Sequence, residues 1–372
     1  MAEPAKKLGF GLMRFPKLPD NTYDKAQLQQ MVDEFIGRGF TYFDSAYMYN
    51  RSLSESYFGE MVADRHPRDS YTFATKLHFG FFDSLEDRDK VFNEQLERTH
   101  LSYFDYYLLH GVQDNSVEKY EQFDCFNWLK AKQEAGLVRE IGFSFHGTPE
   151  LLDRLLTDYP FMQFVQLQIN YLDWESRLVR AHDCYEVARK HNKPIVVMEP
   201  VKGGTLAALP DDLAARLKAY DPERSVASWA IRYVTSLPGI RVVLSGMTTL
   251  EQLRDNLSYM DEFQPLTEEE VALVRDIADE MNSRIAIPCT GCSYCTDGCP
   301  MSIAIPDYFA LYNHDKQEIA GHGWTPSKER YEVLIKDHGR ANECIGCGQC
   351  EGVCPQHLPI IEHLQAVSEM FD

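Results

Sequence analysis

The sequence predicts an α/β protein. A (β/α)8 TIM barrel spans residues 1–285, and a small, mainly helical domain spans 286–372. Three observations carry this. Eight short, nearly continuous apolar runs recur through the first 250 residues, as buried parallel strands do. The seven intervals between them each hold apolar residues at helical spacing. After residue 285 the composition changes abruptly, and eight of the ten cysteines follow.

The expected strands are 10–13, 41–44, 72–76, 104–109, 140–144, 164–168, 195–198 and 240–244. A helix over 24–36 carries Leu28, Met31, Val32, Phe35 and Ile36 on one face, and Gly37 and Gly39 end it. Further helices are expected near 54–65, 85–99, 117–135, 149–157, 175–191 and 226–234. Gly136 is the expected C-cap of the fourth. Thr267 and Glu270 form a capping box that opens a last helix to Met281, packed across the barrel. An open doubly wound sheet would need a glycine-rich first turn for a nucleotide. The run Gly9-Phe10-Gly11 lacks the third glycine of that fingerprint.

Composition excludes several functions. The chain has 37 basic and 57 acidic side chains, a formal charge of −20, which is the wrong sign for a nucleic-acid or anionic-membrane partner. The first seven residues lack the apolar core of a signal peptide, and no apolar run reaches the roughly 20 residues of a membrane span. A cytoplasmic protein is expected. In that compartment, tight cysteine clusters read as metal ligation rather than disulfides. Cys125 and Cys184 stand apart and read as inert core thiols.

In a TIM barrel the loops at the C-terminal ends of the strands build the active site. Asp44, Lys76, His110, Ser144, Gln166 and Met198 end strands here, and Tyr49 lies five residues beyond Asp44. A lysine ammonium beside a tyrosine favours the phenolate. Tyr49 is therefore expected to shift toward working pH as a proton donor to a carbonyl oxygen. Asp44 would orient Lys76, and His110 would hydrogen-bond the same carbonyl. With a hydride donor alongside, this is interconversion of a carbonyl and an alcohol. The plainer alternative is a structural Asp44–Lys76 ion pair with Tyr49 as a lid residue.

These pieces resemble the aldo/keto reductase family over about residues 8–285. The resemblance rests on Phe43-Asp44-Ser45-Ala46-Tyr47-Met48-Tyr49 with Ser54-Glu55, on Thr75-Lys76, and on Leu108-Leu109-His110. It rests further on Ile141–Ser144, Val165–Asn170 and Glu251–Asn256. It implies a catalytic tetrad of Asp44, Tyr49, Lys76 and His110, with nicotinamide contacts from Ser144 and Gln166. It also implies pyrophosphate contacts from Lys202 and Gly203, and an adenosine-end segment from Gly246 to Asn256 that includes Gln252. The chain departs from the family in three places. Phe145 and His146 follow Ser144 where the family has Asn, so His146 is either a second polar contact or a loop histidine. Met198 stands where many members stack an aromatic ring on the nicotinamide. Gln252 stands where some members carry an arginine for a 2′-phosphate, so NADP(H) ahead of NAD(H) is a family-level expectation.

Beyond residue 285 two runs repeat. Cys289, Cys292, Cys295 and Cys299-Pro300 are followed by Cys344, Cys347, Cys350 and Cys354-Pro355, each with spacers of two, two and three residues. This is the bacterial ferredoxin spacing. Structural zinc would use two spaced pairs. The segment resembles a two-cluster ferredoxin-type domain. That resemblance implies two [4Fe–4S] clusters, one on Cys289, Cys292, Cys295 and Cys354, the other on Cys344, Cys347, Cys350 and Cys299. The long spacer 300–343 holds Tyr308, Phe309, Tyr312, Trp324 and Tyr331 and is expected to form helices that dock the clusters onto the barrel.

Three functions follow. The first is a nicotinamide-dependent oxidoreductase acting on a small carbonyl or alcohol, its clusters exchanging electrons with substrate or a partner protein. The second passes electrons between nicotinamide and ferredoxin-type partners. It needs a two-electron to one-electron bridge such as a flavin, for which no diagnostic motif is present. The third is a plain reductase with structural or oxygen-sensing clusters.

Overall fold

The computed structural model describes residues 6–289, 291–296, 298–317, 325–354 and 356–372. Eight parallel strands close into a barrel in chain order. They are β1 (Leu8–Gly11), β2 (Tyr42–Asp44), β3 (Thr72–His78), β4 (Phe104–Val112), β5 (Val138–Phe145), β6 (Phe164–Gln168), β7 (Ile195–Met198) and β8 (Ile240–Ser245). All eight expected strands are present. The first begins two residues earlier than expected, and a glycine is needed inside the barrel there. A Cβ on Gly9 would stand 2.8 Å from the side chains of Leu244 and Val242.

The barrel has two apolar layers. Tyr42, Ala74, Tyr106, Leu108, Phe164, Val196, Val242 and Leu244 fill its interior. The opposite faces of the strands pack against the helices in a much larger shell. Gly142 makes room for the interior, since a Cβ on it would lie 2.8 Å from the Phe164 ring. In the shell, Phe58 stacks on Phe73 with centroids 3.9 Å apart.

Helix positions follow the apolar spacing, and the exceptions have local causes. The helix expected over 117–135 is two helices, Val117–Gln122 and Cys125–Glu134, broken at Asp124 with φ of 49°. Helix Ser54–Phe58 passes into a π-helical turn, Gly59–Ala63. The stretch 175–191 is helical only over Ala181–Lys190. Before it lies a loop held by a buried ion pair described below. Helix Asp211–Tyr220 has no counterpart in the sequence reading, because only Leu213 and Leu217 are buried on it. The capping box of helix Glu268–Ser283 is formed as expected.

A second apolar core gathers Ile287, Ile305, Tyr308, Phe309, Tyr331 and Leu364 with neighbours. The spacer forms helices Ile305–Gln317 and Pro326–Leu334, and helix Ile360–Phe371 closes the chain. Trp324 lies outside the described residues. This core docks on the barrel mouth: Thr205 Oγ1 donates to the Gln317 carbonyl at 2.8 Å. Arg330 donates to the carbonyls of Leu178 and His146 at 3.1 and 3.3 Å. No helix among the described residues is long and apolar enough to cross a membrane.

Phe73 is fully buried between Phe58 and Phe104. Phe73→Ala should lower the unfolding free energy of the barrel by roughly 3–5 kcal/mol in urea titration. A loss below about 1 kcal/mol would mean that the neighbouring rings close over the gap.

Candidate active site

The mouth residues are set by strand parity. Side chains at i and i+2 share a face. Asp44 lies two residues beyond the interior residue Tyr42, Lys76 beyond Ala74, and His110 beyond Leu108. Gln166 lies two beyond Phe164, and Met198 two beyond Val196. Each therefore continues the inward row by one step, from the apolar interior into the mouth. Register aligns them laterally, with His78 opposite His110, Ser144 opposite Gln166, and Gln168 opposite Met198.

Lys76 and Asp44 are both buried. Nζ of Lys76 donates to Asp44 Oδ1 and to the Ser45 carbonyl, each at 2.6 Å. Burial pushes the Asp44 carboxyl up and the Lys76 ammonium down, while their mutual attraction pulls each back. Two short bonds from one ammonium, one of them charge-assisted, hold the pair together. Around it, buried Glu55 Oε1 accepts from Thr75 and from Gln95, each at 2.6 Å.

Tyr49 sits over this pair, with the Lys76 ammonium 5.2 Å from its ring centroid. Its ring meets His110 edge-on at 5.7 Å. Three consecutive left-handed residues follow it, Asn50, Arg51 and Ser52, with φ of 52°, 57° and 64°. Asn50 Nδ2 anchors that turn on the Leu12 carbonyl at 2.7 Å. The expected downward shift of Tyr49 is not what the structure holds. Burial, then the Asp44 and Glu199 carboxylates, raise its pKa well above the ordinary tyrosine value. The ammonium faces the ring rather than the hydroxyl, and its bonds go to Asp44 and Ser45. The phenol thus keeps its proton throughout the neutral range. His110 is held neutral by burial and by Lys76, and its buried Nδ1 has no partner. His146 is pushed down to about 4 by burial and by Arg330.

The remaining candidates divide. Ser144 Oγ accepts from the Gly111 N–H at 2.8 Å. Gln166 Nε2 points to the Met198 sulfur at 3.5 Å, leaving the buried Oε1 without a partner. An orphaned amide oxygen at this place fits the carboxamide N–H of a nicotinamide. Gly203 takes φ of 63°, and Gly246 follows β8, the strand paired with β7. Lys202 does not project toward that glycine segment. It is 1% exposed, with Nζ 2.7 Å from Asp173 Oδ1. The cation at the glycine segment is Arg14, which sequence reasoning missed. Its Nη1 donates to the Gly203 carbonyl at 3.2 Å, and its Cδ lies 4.0 Å from where a Cβ on Gly246 would be. Gln252 Oε1 accepts from the Thr248 N–H at 2.7 Å and so braces its own loop. Asn256 donates to Ser245 Oγ at 2.8 Å. Glu199 was also missed. It has φ of 55°, and its Oε2 accepts from the Gly203 N–H at 2.7 Å.

In the second core two cavities are lined by thiols. Cys289, Cys292, Cys295 and Cys354 line one. Cys299, Cys344, Cys347 and Cys350 line the other. Among the described residues no three His, Cys, Asp or Glu side chains converge on a single-ion site. The thiols surround spaces rather than points, and such a donor set fits a cluster better than a lone zinc. Cys125 and Cys184 are buried thiols pushed up to about 12 by burial, as inert core cysteines are.

Comparison with known proteins agrees with both halves. The 4Fe-4S dicluster domain family matches residues 288–358. The chain is similar to an uncharacterized oxidoreductase, YqkF, of Bacillus subtilis (strain 168), 24% identical over 283 residues, covering 67% of this chain and 86% of that protein. L-galactose dehydrogenase of Arabidopsis thaliana is 25% identical over 252 residues, covering 63% and 78%. The fold is that of the holo aldo-keto reductase of Bacillus halodurans, with a TM-score of 0.58, 23% identity, and coverage of 73% of this chain and 91% of that one. An aldo-keto reductase from Klebsiella pneumoniae solved with NADPH gives a TM-score of 0.58 at 20% identity, covering 73% and 90%. The aldo/keto reductase family itself matches residues 7–279. The chain therefore belongs to the aldo/keto reductase family, an oxidoreductase whose barrel is followed by a 4Fe-4S dicluster domain.

Proposed function

We propose that the barrel mouth interconverts a small carbonyl compound and its alcohol with NADP(H), and that the adjoining domain carries two [4Fe–4S] clusters that exchange electrons. The observation that supports it most is the convergence of Tyr49, His110 and the Lys76–Asp44 pair on one inward-facing level. A nicotinamide, when bound, supplies or accepts the hydride at the carbonyl carbon. The chain's own residues do the rest. Gln166 Oε1 and Ser144 hold the carboxamide side, and Arg14 with Gly203 and Gly246 meets the phosphates. The NADPH complex of the Klebsiella relative supports the choice of NADP(H).

Tyr49 is the proton donor. Its phenol is un-ionised at working pH, so the acid form is always present, and negative charge growing on the carbonyl oxygen draws the proton across. The Lys76 ammonium under the ring offsets part of the cost that burial puts on the phenolate left behind, and Asp44 fixes Lys76 in place. Neutral His110, with its orphaned Nδ1, supplies a hydrogen-bonding group for the same oxygen. The four-thiol linings of the two cavities support one [4Fe–4S] cluster in each.

Tyr49→Phe should cut carbonyl reduction roughly 10²–10⁴-fold while NADPH binding, read by fluorescence, stays nearly unchanged. Unchanged turnover would remove Tyr49 from the chemistry. Anaerobically reconstituted protein should contain about eight iron atoms per chain; zinc in place of iron would contradict the cluster reading. His146 contributes a pH dependence of defined sign. Its folded pKa of about 4 lies below the ordinary 6.5, so the unfolded chain takes up its proton first as pH falls. Stability should fall between about pH 6.5 and 4, and His146→Asn should make the decline in melting temperature shallower. An identical slope in the variant would mean that His146 is not buried neutral.

A further inference from the structure

The two cysteine cavities face different electrostatic surroundings. The loop that follows β6 leaves the barrel mouth, runs to the second core and carries Arg177. Gly291, between the cluster cysteines Cys289 and Cys292, has φ of 66°, and the Arg177 guanidinium occupies the space its Cβ would need. Only glycine admits that approach. The same Gly291 N–H donates to Cys289 Sγ at 3.4 Å. The guanidinium therefore stands against the backbone of the loop between Cys289 and Cys292. At the second cavity the charged residue next to Cys350 is instead Glu351, whose carboxylate accepts from the Ile361 N–H at 2.9 Å beside that cavity.

Arg177 is held in place from both sides. Asp173, four residues earlier, is locked by Lys202 at 2.7 Å and by Asn170 at 2.9 Å. Leu178, next in the chain, packs against the cysteine-rich core, and its carbonyl accepts from Arg330. Arg330 also bonds the His146 carbonyl, two residues beyond Ser144. A path of hydrogen bonds and one close approach thus runs from the residue after β5 through Arg330 and Leu178 to Arg177, Gly291 and Cys289.

We propose that Arg177 is a positioning residue for electrons. It sets the reduction potential of the cluster on Cys289, Cys292, Cys295 and Cys354, making that cluster the higher-potential one and the one that faces the barrel. The proposal rests on the two-cluster reading above. Reduction adds one negative charge to a cluster, so a fixed cation nearby favours the reduced form and a carboxylate opposes it. An electron on the second cluster then moves inward, oxidising that cluster and reducing the first by one electron each.

The test is an anaerobic potentiometric titration of the reconstituted full-length protein, followed by electron paramagnetic resonance. Cys347→Ser identifies the signal of the second site. In wild type the first site should be reduced at the higher potential. Arg177→Gln should shift that site to lower potential and leave the second where it was, while Arg177→Lys should keep most of the wild-type value. Gly291→Ala, which displaces the guanidinium without removing its charge, should shift the same site in the same direction as Arg177→Gln. If Arg177→Gln loses the first cluster, the lysine and Gly291→Ala variants decide. Two clusters whose potentials ignore all three variants, or shift together, overturn the proposal. A wild-type protein without two cluster signals overturns the two-cluster reading instead.

Discussion

The mouth depends on one interaction, the buried contact between Lys76 and Asp44. Two charges removed from water at the ends of β2 and β3 are costly unless each satisfies the other. Their 2.6 Å bond and the second bond to the Ser45 carbonyl do this while fixing the ammonium under Tyr49. Burial and the Asp44 and Glu199 carboxylates keep the Tyr49 phenol protonated, and in the proposed reaction it gives up that proton only as charge grows on the carbonyl oxygen. The strained turn after Tyr49, bonded to the Leu12 carbonyl through Asn50, holds the hydroxyl over the mouth at a local conformational cost.

A second buried pair, Asp173–Lys202, does similar work for the other half of the molecule. It pins the loop after β6, and that loop carries both Leu178 and Arg177 into the cysteine-rich core. Arg330 comes back the other way, from the cysteine-rich half to the carbonyl after Ser144. The barrel and the dicluster domain therefore share a polar seam beside the mouth.

Much of this was legible in the sequence, for reasons tied to particular residues. Period-two alternation carries the inward row from Tyr42 to Asp44 and from Leu108 to His110, so polar residues ending apolar runs marked the mouth. The resemblance to a two-cluster ferredoxin-type domain, carried by the cysteine spacing, implied the crossed pairing of Cys354 with the first run and Cys299 with the second, and the two cavities are lined in that pattern. What failed turned mostly on where particular long side chains go. Lys202 follows β7 in the right place for a phosphate, yet its ammonium turns toward Asp173. Arg14 takes the place beside Gly203 from the far side of the barrel closure. Arg330 lies 152 residues beyond Leu178, the neighbour of Arg177, and bonds its carbonyl. The direction of the Tyr49 shift was missed because nearness to a lysine is visible in a sequence and burial of the phenol is not.

The most direct test of the account follows the hydrogen that reaches the carbonyl carbon. The reconstituted protein is given an aromatic aldehyde and NADPH deuterated at the transferable C4 position, in ordinary water. The alcohol is then analysed by mass spectrometry. One deuterium on the carbinol carbon of each product molecule is the result predicted by the proposal that the barrel moves hydride directly while Tyr49 supplies the proton. Alcohol without deuterium would contradict it: electrons would then be reaching the substrate singly, through the clusters, with both hydrogens drawn from water.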